Sequence, residues 1–138
     1  MPSPATAEPS HFRVLIVDAD RRVRDSLGAL CRCEPGFGQV DAAATPAEVR
    51  AALDETEPDV LVIDPRLPDV ETGLDLIAEL RRDHPGVRIL VMSWSPSTDA
   101  VAHDADGLLD KTGSPEDLVS AIAEAVAQPR SSVTVGGA

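Results

Sequence analysis

Residues 60–73 read VLVIDPRLPDVETG, and the architecture of the whole chain can be worked outward from them. The opening run, Val60 to Ile63, is apolar, too short for a helix and rich in β-branched residues, so it reads as a strand buried on both faces. It stops on Asp64. A carboxylate at the rim of a core loses hydration and needs a binding partner. Pro65 biases Asp64 toward extended backbone, and Pro68 turns the chain away. The pattern predicts an acid displayed at the carboxyl end of a central strand, where open α/β sheets hold their ligands.

Similar runs lie on either side. Arg13 to Val17 (RVLIV) ends on Asp18, Val87 to Met92 delivers Ser93 and Trp94, and Gly107 to Leu109 precedes Asp110 and Lys111. Gln39 to Ala43 is a weaker strand. Helical patterns fill the gaps. From Asp20, Val23, Leu27, Leu30 and Cys31 recur on one stripe, with Arg21, Arg22, Arg24 and Asp25 as the wet face. Thr45-Pro46-Ala47-Glu48 is a capping box with proline in the first helical position, and its helix runs to about Glu55. After Gly73 a helix carries Leu74, Ile77 and Leu80 inward until His84-Pro85-Gly86, and His84 has no partner evident in sequence. Ser95 to Asp106 has room for a short polar helix. Ser114-Pro115-Glu116-Asp117 caps a last helix that buries Leu118, Ile122, Ala125 and Val126.

At 138 residues the chain suits one domain, expected over residues 12–128, with tails at 1–11 and 129–138, the second resembling the start of a linker. Phe12, Phe37 and Trp94 are its aromatics, so Val, Leu, Ile and Ala must build the core. A formal charge of −12 argues against direct nucleic-acid binding by this chain. Cys31 and Cys33 do not share a helix face and make a poor disulfide pair. As C-x-C they lack a second cluster to complete a metal site, so they read as semi-buried thiols. Neither a signal peptide nor a membrane span is evident, and the expected location is the cytoplasm.

Strand–helix alternation implies a doubly wound, five-stranded parallel α/β sheet with right-handed crossovers and helices on both faces. In such a sheet Asp18, Asp64, Ser93 and Lys111 converge on one edge. Two carboxylates suit a hard cation such as Mg²⁺, while a hydroxyl and an ammonium take phosphoryl oxygens. One carboxylate can itself attack phosphorus to give an acyl phosphate. Taken singly, Asp18 fits a helix-capping role, Lys111 a surface lysine and Ser93 a turn serine; only their shared placement lifts them. Asp104, Asp106 and Asp110 read as a solvated acidic edge. His11 and His103 read as exposed.

The fragments IVDAD, IDPRLP, MS and DGLLDK, in that order, resemble the receiver domain of two-component response regulators, the CheY-like superfamily, with local NarL-like character. The resemblance covers roughly Arg13 to Gln128. It implies strand order 2-1-3-4-5, Asp64 as phosphoacceptor, and Mg²⁺ held by Asp18, Asp64 and the Arg66 backbone carbonyl. It further implies Ser93 as switch hydroxyl, Lys111 as the phosphate-binding lysine, and at most slow self-dephosphorylation. A sensor histidine kinase, a homodimer and a C-terminal DNA-binding effector domain are the partners it suggests.

The chain also departs from that family. Ala19 stands where the second of two adjacent acids is usual, and losing that carboxylate forfeits about 4 kcal/mol of attraction to a cation at contact distance in a half-polar site. Asp20 is the candidate substitute. Leu108 replaces the frequent switch aromatic, Trp94 follows the hydroxyl where a small residue is common, and the segment from Ser93 to Lys111 is short. An alternative is therefore a pseudo-receiver, a phosphorylation-independent module that binds a protein or small ligand. A remoter one takes Asp18-Ala19-Asp20 as the D-x-D of a haloacid-dehalogenase-like phosphatase, which leaves Asp64 without a role.

Overall fold

A computed structural model describes residues 11–93 and 104–128. The elements follow in the order β1 (Phe12–Val17), α1 (Arg21–Arg32), β2 (Phe37–Ala43), α2 (Pro46–Glu55), β3 (Val60–Ile63) and α3 (Val70–Asp83). Then come β4 (Arg88–Ser93), β5 (Gly107–Asp110) and α4 (Pro115–Ala127). The strands form one parallel sheet in the order β2-β1-β3-β4-β5. The expected topology is met. The polar segment expected as a helix after Ser93, together with Trp94 and His103, lies largely outside the described residues, as do the two tails.

Strand period explains why the apolar runs are unbroken. Alternate side chains point to opposite faces, and here both faces are covered. Val14, Ile16, Val60, Val62, Leu90 and Met92 pack with Leu27 and Cys31 of α1 and with Leu118, Val119, Ile122 and Val126 of α4. Their neighbours Leu15, Val17, Leu61, Ile63, Ile89 and Val91 meet Val49 and Leu53 of α2 and Leu76, Ile77 and Leu80 of α3. Each such side chain taken from water contributes roughly 1.5–3 kcal/mol, which compensates for the scarcity of aromatics.

Helix starts are set by side-chain caps. Asp20, Thr45, Asp69 and Ser114 each accept a backbone N–H from the first turn of α1, α2, α3 and α4. Ser114 and Asp117 close a full capping box. At Thr45 the box is displaced by one residue, because the Glu48 carboxylate accepts the N–H of Ala44 at 2.7 Å.

Several local expectations are corrected. The third helix begins at Val70, before Gly73, because the Asp69 carboxylate supplies an N-cap that the sequence pattern did not reveal. Arg24 is half-buried instead of wet: its guanidinium donates to the carbonyls of Asp18 and Ala19 at 2.9 and 3.1 Å. Asp106 is exposed as expected, yet it is engaged as well. It pairs with Arg81 at 2.6 Å and accepts the N–H of Ile89 at 2.8 Å, tying α3 to the start of β4. His84 does have a partner, with Nδ1 lying 2.8 Å from the Glu57 carboxylate.

Gly73 marks the tightest packing. A Cβ built there would lie 1.6 Å from the Pro65 carbonyl oxygen, so α3 presses directly on the loop that follows Asp64. Because the obstacle is backbone, Gly73→Ala is expected to cost about 3 kcal/mol or more, read as a lowered urea midpoint with an unchanged slope. The two thiols should also separate: burial, with the nearby Glu34 charge, pushes Cys31 up to about 11, whereas Cys33 is exposed. A thiol reagent at neutral pH should modify one group per folded chain, and Cys33→Ser should abolish the reaction.

Candidate functional site

The site is assembled by the last rungs of the sheet ladder. The N–H of Asp18 donates to Ala43 O at 3.1 Å, that of Asp64 to Val17 O at 3.0 Å, and that of Lys111 to Ser93 O at 2.9 Å. Each chemically interesting residue is thus held by the strand beside it, one step beyond or at a strand end. β1 and β3 are neighbours from which the chain departs toward opposite sides of the sheet, so Asp18 and Asp64 flank the crevice where strand order reverses. Ser93 is half-buried at the end of β4, opposite Asp110 in register.

Asp18, Asp64 and Lys111 are the buried charged residues among those described, at 3%, 4% and 6% exposure. The Lys111 ammonium donates to Asp18 Oδ2 at 2.7 Å and to Asp64 Oδ2 at 2.6 Å. Burial alone would lower the lysine pKa, but the hydrogen bonds and charges of both aspartates outweigh it and hold the pKa above its ordinary value. The outer oxygens are bound as well. Asp18 Oδ1 accepts the Asp20 N–H at 2.8 Å, and Asp64 Oδ1 accepts the Arg66 N–H at 2.9 Å with the Arg66 Nε at 3.6 Å.

The loop after Asp64 is pinned by Leu67, buried at 1% exposure, and by the contact of Gly73 with Pro65. This pinning sets the backbone of Arg66 beside Asp64, while its side chain remains about half exposed. No spacing in the sequence announced the guanidinium as a partner of Asp64; its backbone carbonyl alone was anticipated as a ligand.

Asp20 does not swing inward. Its carboxylate accepts the Arg22 N–H at 2.9 Å and caps α1, and this backbone bond is the main reason its pKa is lowered. It remains near enough to Lys111 to share a groove with it, lined also by Arg22, Ser26, Gly113 and Pro115. Among the described residues, no group of three or more His, Cys, Asp or Glu side chains could hold a metal ion. The available donor set is sparser: two carboxylates and a backbone carbonyl. It still fits Mg²⁺, an ion commonly held through one or two carboxylates, with water and phosphoryl oxygens completing its shell.

The response regulator receiver domain family matches residues 14–123. A protein-glutamate methylesterase/protein-glutamine glutaminase 4 of Anaeromyxobacter dehalogenans is 33% identical over 104 residues, covering 75% of this chain and 29% of that protein. The DNA-binding transcriptional activator DevR/DosR of Mycobacterium tuberculosis is 34% identical over 89 residues, covering 64% of this chain and 41% of that protein. The chain therefore spans less than half the length of these curated relatives. In three dimensions it is similar to a LuxR-family two-component response regulator from Aurantimonas sp. SI85-9A1, with a TM-score of 0.75, 29% identity, and coverage of 88% of this chain and 89% of that one. With the ordered sheet, the paired aspartates and the bridging lysine on one edge, these matches show that the chain belongs to the response regulator receiver domain family.

Proposed function

We propose that this receiver domain accepts a phosphoryl group on Asp64. The observation that carries the reading is the Lys111 ammonium shared between the carboxylates of Asp18 and Asp64 at the sheet's switch point. An Asp64 oxygen attacks phosphorus, the bond from phosphorus to the donor's nitrogen or oxygen breaks, and its electron pair leaves with the donor. Lys111 is already in contact with Asp64 and can move its hydrogen bond to a phosphoryl oxygen. Ser93 stands at the neighbouring strand end as the hydroxyl that reports the new group. Asp18, Asp64 and the Arg66 carbonyl would hold Mg²⁺, whose charge offsets that of the transferring phosphoryl group.

The partners follow from the same reading: a sensor histidine kinase as donor, a second copy of the domain, and a C-terminal DNA-binding effector. DevR/DosR, a relative of 41% overlap, is described as a DNA-binding transcriptional activator. Among the described residues no helix is long and apolar enough to cross a membrane. Reading the chain as a phosphatase of the D-x-D type is disfavoured, because the Asp20 carboxylate is committed to capping α1.

One observation favours a second reading. Ala19 removes an acid, and Asp20 does not replace it. A phosphorylation-independent receiver would keep the fold and bind a partner through it. Incubation with Mg²⁺ and acetyl phosphate, followed by intact mass measurement, separates the two. The expected result is one added phosphoryl group, absent from Asp64→Asn; an unchanged mass, with a histidine kinase also failing to label Asp64, selects the second reading.

Lys111 also ties function to stability. Lys111→Met leaves two buried carboxylates without their shared cation and is expected to cost about 3 kcal/mol at neutral pH. In the parent protein the lysine pKa is raised, so its contribution is complete below the ordinary value of 10.5 and is lost only as pH rises through the higher folded value. Urea unfolding across that pH range provides the measurement.

A further inference from the structure

All four oxygens of the Asp18–Asp64 pair already face a donor: the Asp20 N–H, the Arg66 N–H, and Lys111 twice. Asp64 Oδ1 has, in addition, the Arg66 guanidinium at 3.6 Å. Two carboxylates, one ammonium and one guanidinium sum to zero formal charge. An acid at position 19 would leave the same cluster with a net negative charge, which attracts a divalent ion. With Ala19 the cluster balances itself. On the β1–α1 side, Asp20 is paired with Arg22 while Arg24 adds a cation on the carbonyls of Asp18 and Ala19.

We infer that Arg66 is the resting counter-charge of Asp64, a tethered cation that weakens the affinity of the unphosphorylated site for a divalent ion. Its placement supports this role. The backbone of Arg66 is fixed by its bond to Asp64, while the side chain is 52% exposed and borders solvent into which it can turn. A phosphoryl group on Asp64 brings added negative charge, and the guanidinium can follow it without moving the chain. Metal affinity thus becomes coupled to phosphorylation, the resting site holding the ion weakly. This coupling rests on the reading of Asp64 as phosphoacceptor; the effect on the resting site does not.

The test measures Mg²⁺ dissociation constants by titration calorimetry on the unphosphorylated protein and three variants. Arg66→Gln removes the charge but keeps the backbone N–H and carbonyl, and it should bind Mg²⁺ about tenfold more tightly. Arg66→Lys should stay close to the parent, showing that charge and not shape is responsible. Ala19→Asp should tighten binding by a separate route. Equal constants in the parent and Arg66→Gln overturn the inference, including the case in which neither binds. Intact mass after acetyl phosphate treatment is read on the same samples. A tenfold shift with no labelling of Asp64 by acetyl phosphate or by a histidine kinase would retain Arg66 as the resting counter-charge and reject the phosphoacceptor reading; labelling without a shift would do the reverse.

Discussion

Two carboxylates cannot be buried side by side in their charged forms without a cation between them. In this domain the cation is the ammonium of Lys111, and much of the C-terminal edge of the sheet serves to bring it there. β1 must pair with β3 for Asp18 and Asp64 to be adjacent, and β5 must lie beside β4 for Lys111 to reach both. Residues separated by 93 and 47 positions meet within 2.7 Å through that arrangement. Burial gives the contact its weight, since the same three groups in open water would interact by about 1 kcal/mol per pair.

Membership of the receiver family tells how such an edge is commonly used, and the local chemistry tells how this chain differs. The acidic constellation is thinner by one carboxylate at Ala19, and the residue nearest in sequence that could refill it is engaged in capping α1. Positive charge, by contrast, is well supplied, with Lys111 inside, Arg66 at the mouth and Arg24 on the β1–α1 turn. A domain whose formal charge is −12 therefore carries a site with a balanced or slightly positive local field. Such a field attracts anions that the molecule as a whole would repel.

The loop carrying Arg66 shows how packing distant from the chemistry sets its geometry. Leu67 is sunk into the core, and α3 sits so close to Pro65 that position 73 admits only glycine. These contacts hold the Asp64–Arg66 turn, and through it the single N–H that binds Asp64 Oδ1. Similar remote bracing appears at Arg81, which joins Asp106, the Val87 carbonyl and the Asp104 carbonyl where β4 and β5 begin.

Sequence pattern was enough for the strands and for the convergence of Asp18, Asp64, Ser93 and Lys111 on one edge, while the strand order followed from the family resemblance and the burial of Asp18, Asp64 and Lys111 from the fold. These signals are local or additive: uninterrupted β-branched runs require cover on both faces, and an acid or lysine directly after such a run has one place to go. Tertiary structure alone decided the partners. That Arg24 braces the β1–α1 turn, that Asp106 is locked to Arg81, that His84 meets Glu57, and that Arg66 faces Asp64 all depend on side chains arriving from elements brought together only by folding. Flexible charged side chains carry no periodic signature, because their reach spans several possible neighbours in an unfolded chain. Asp20 illustrates the limit most directly: the sequence suggested it as a substitute metal ligand, and the backbone N–H of Arg22, two residues away, claimed it as the cap of α1.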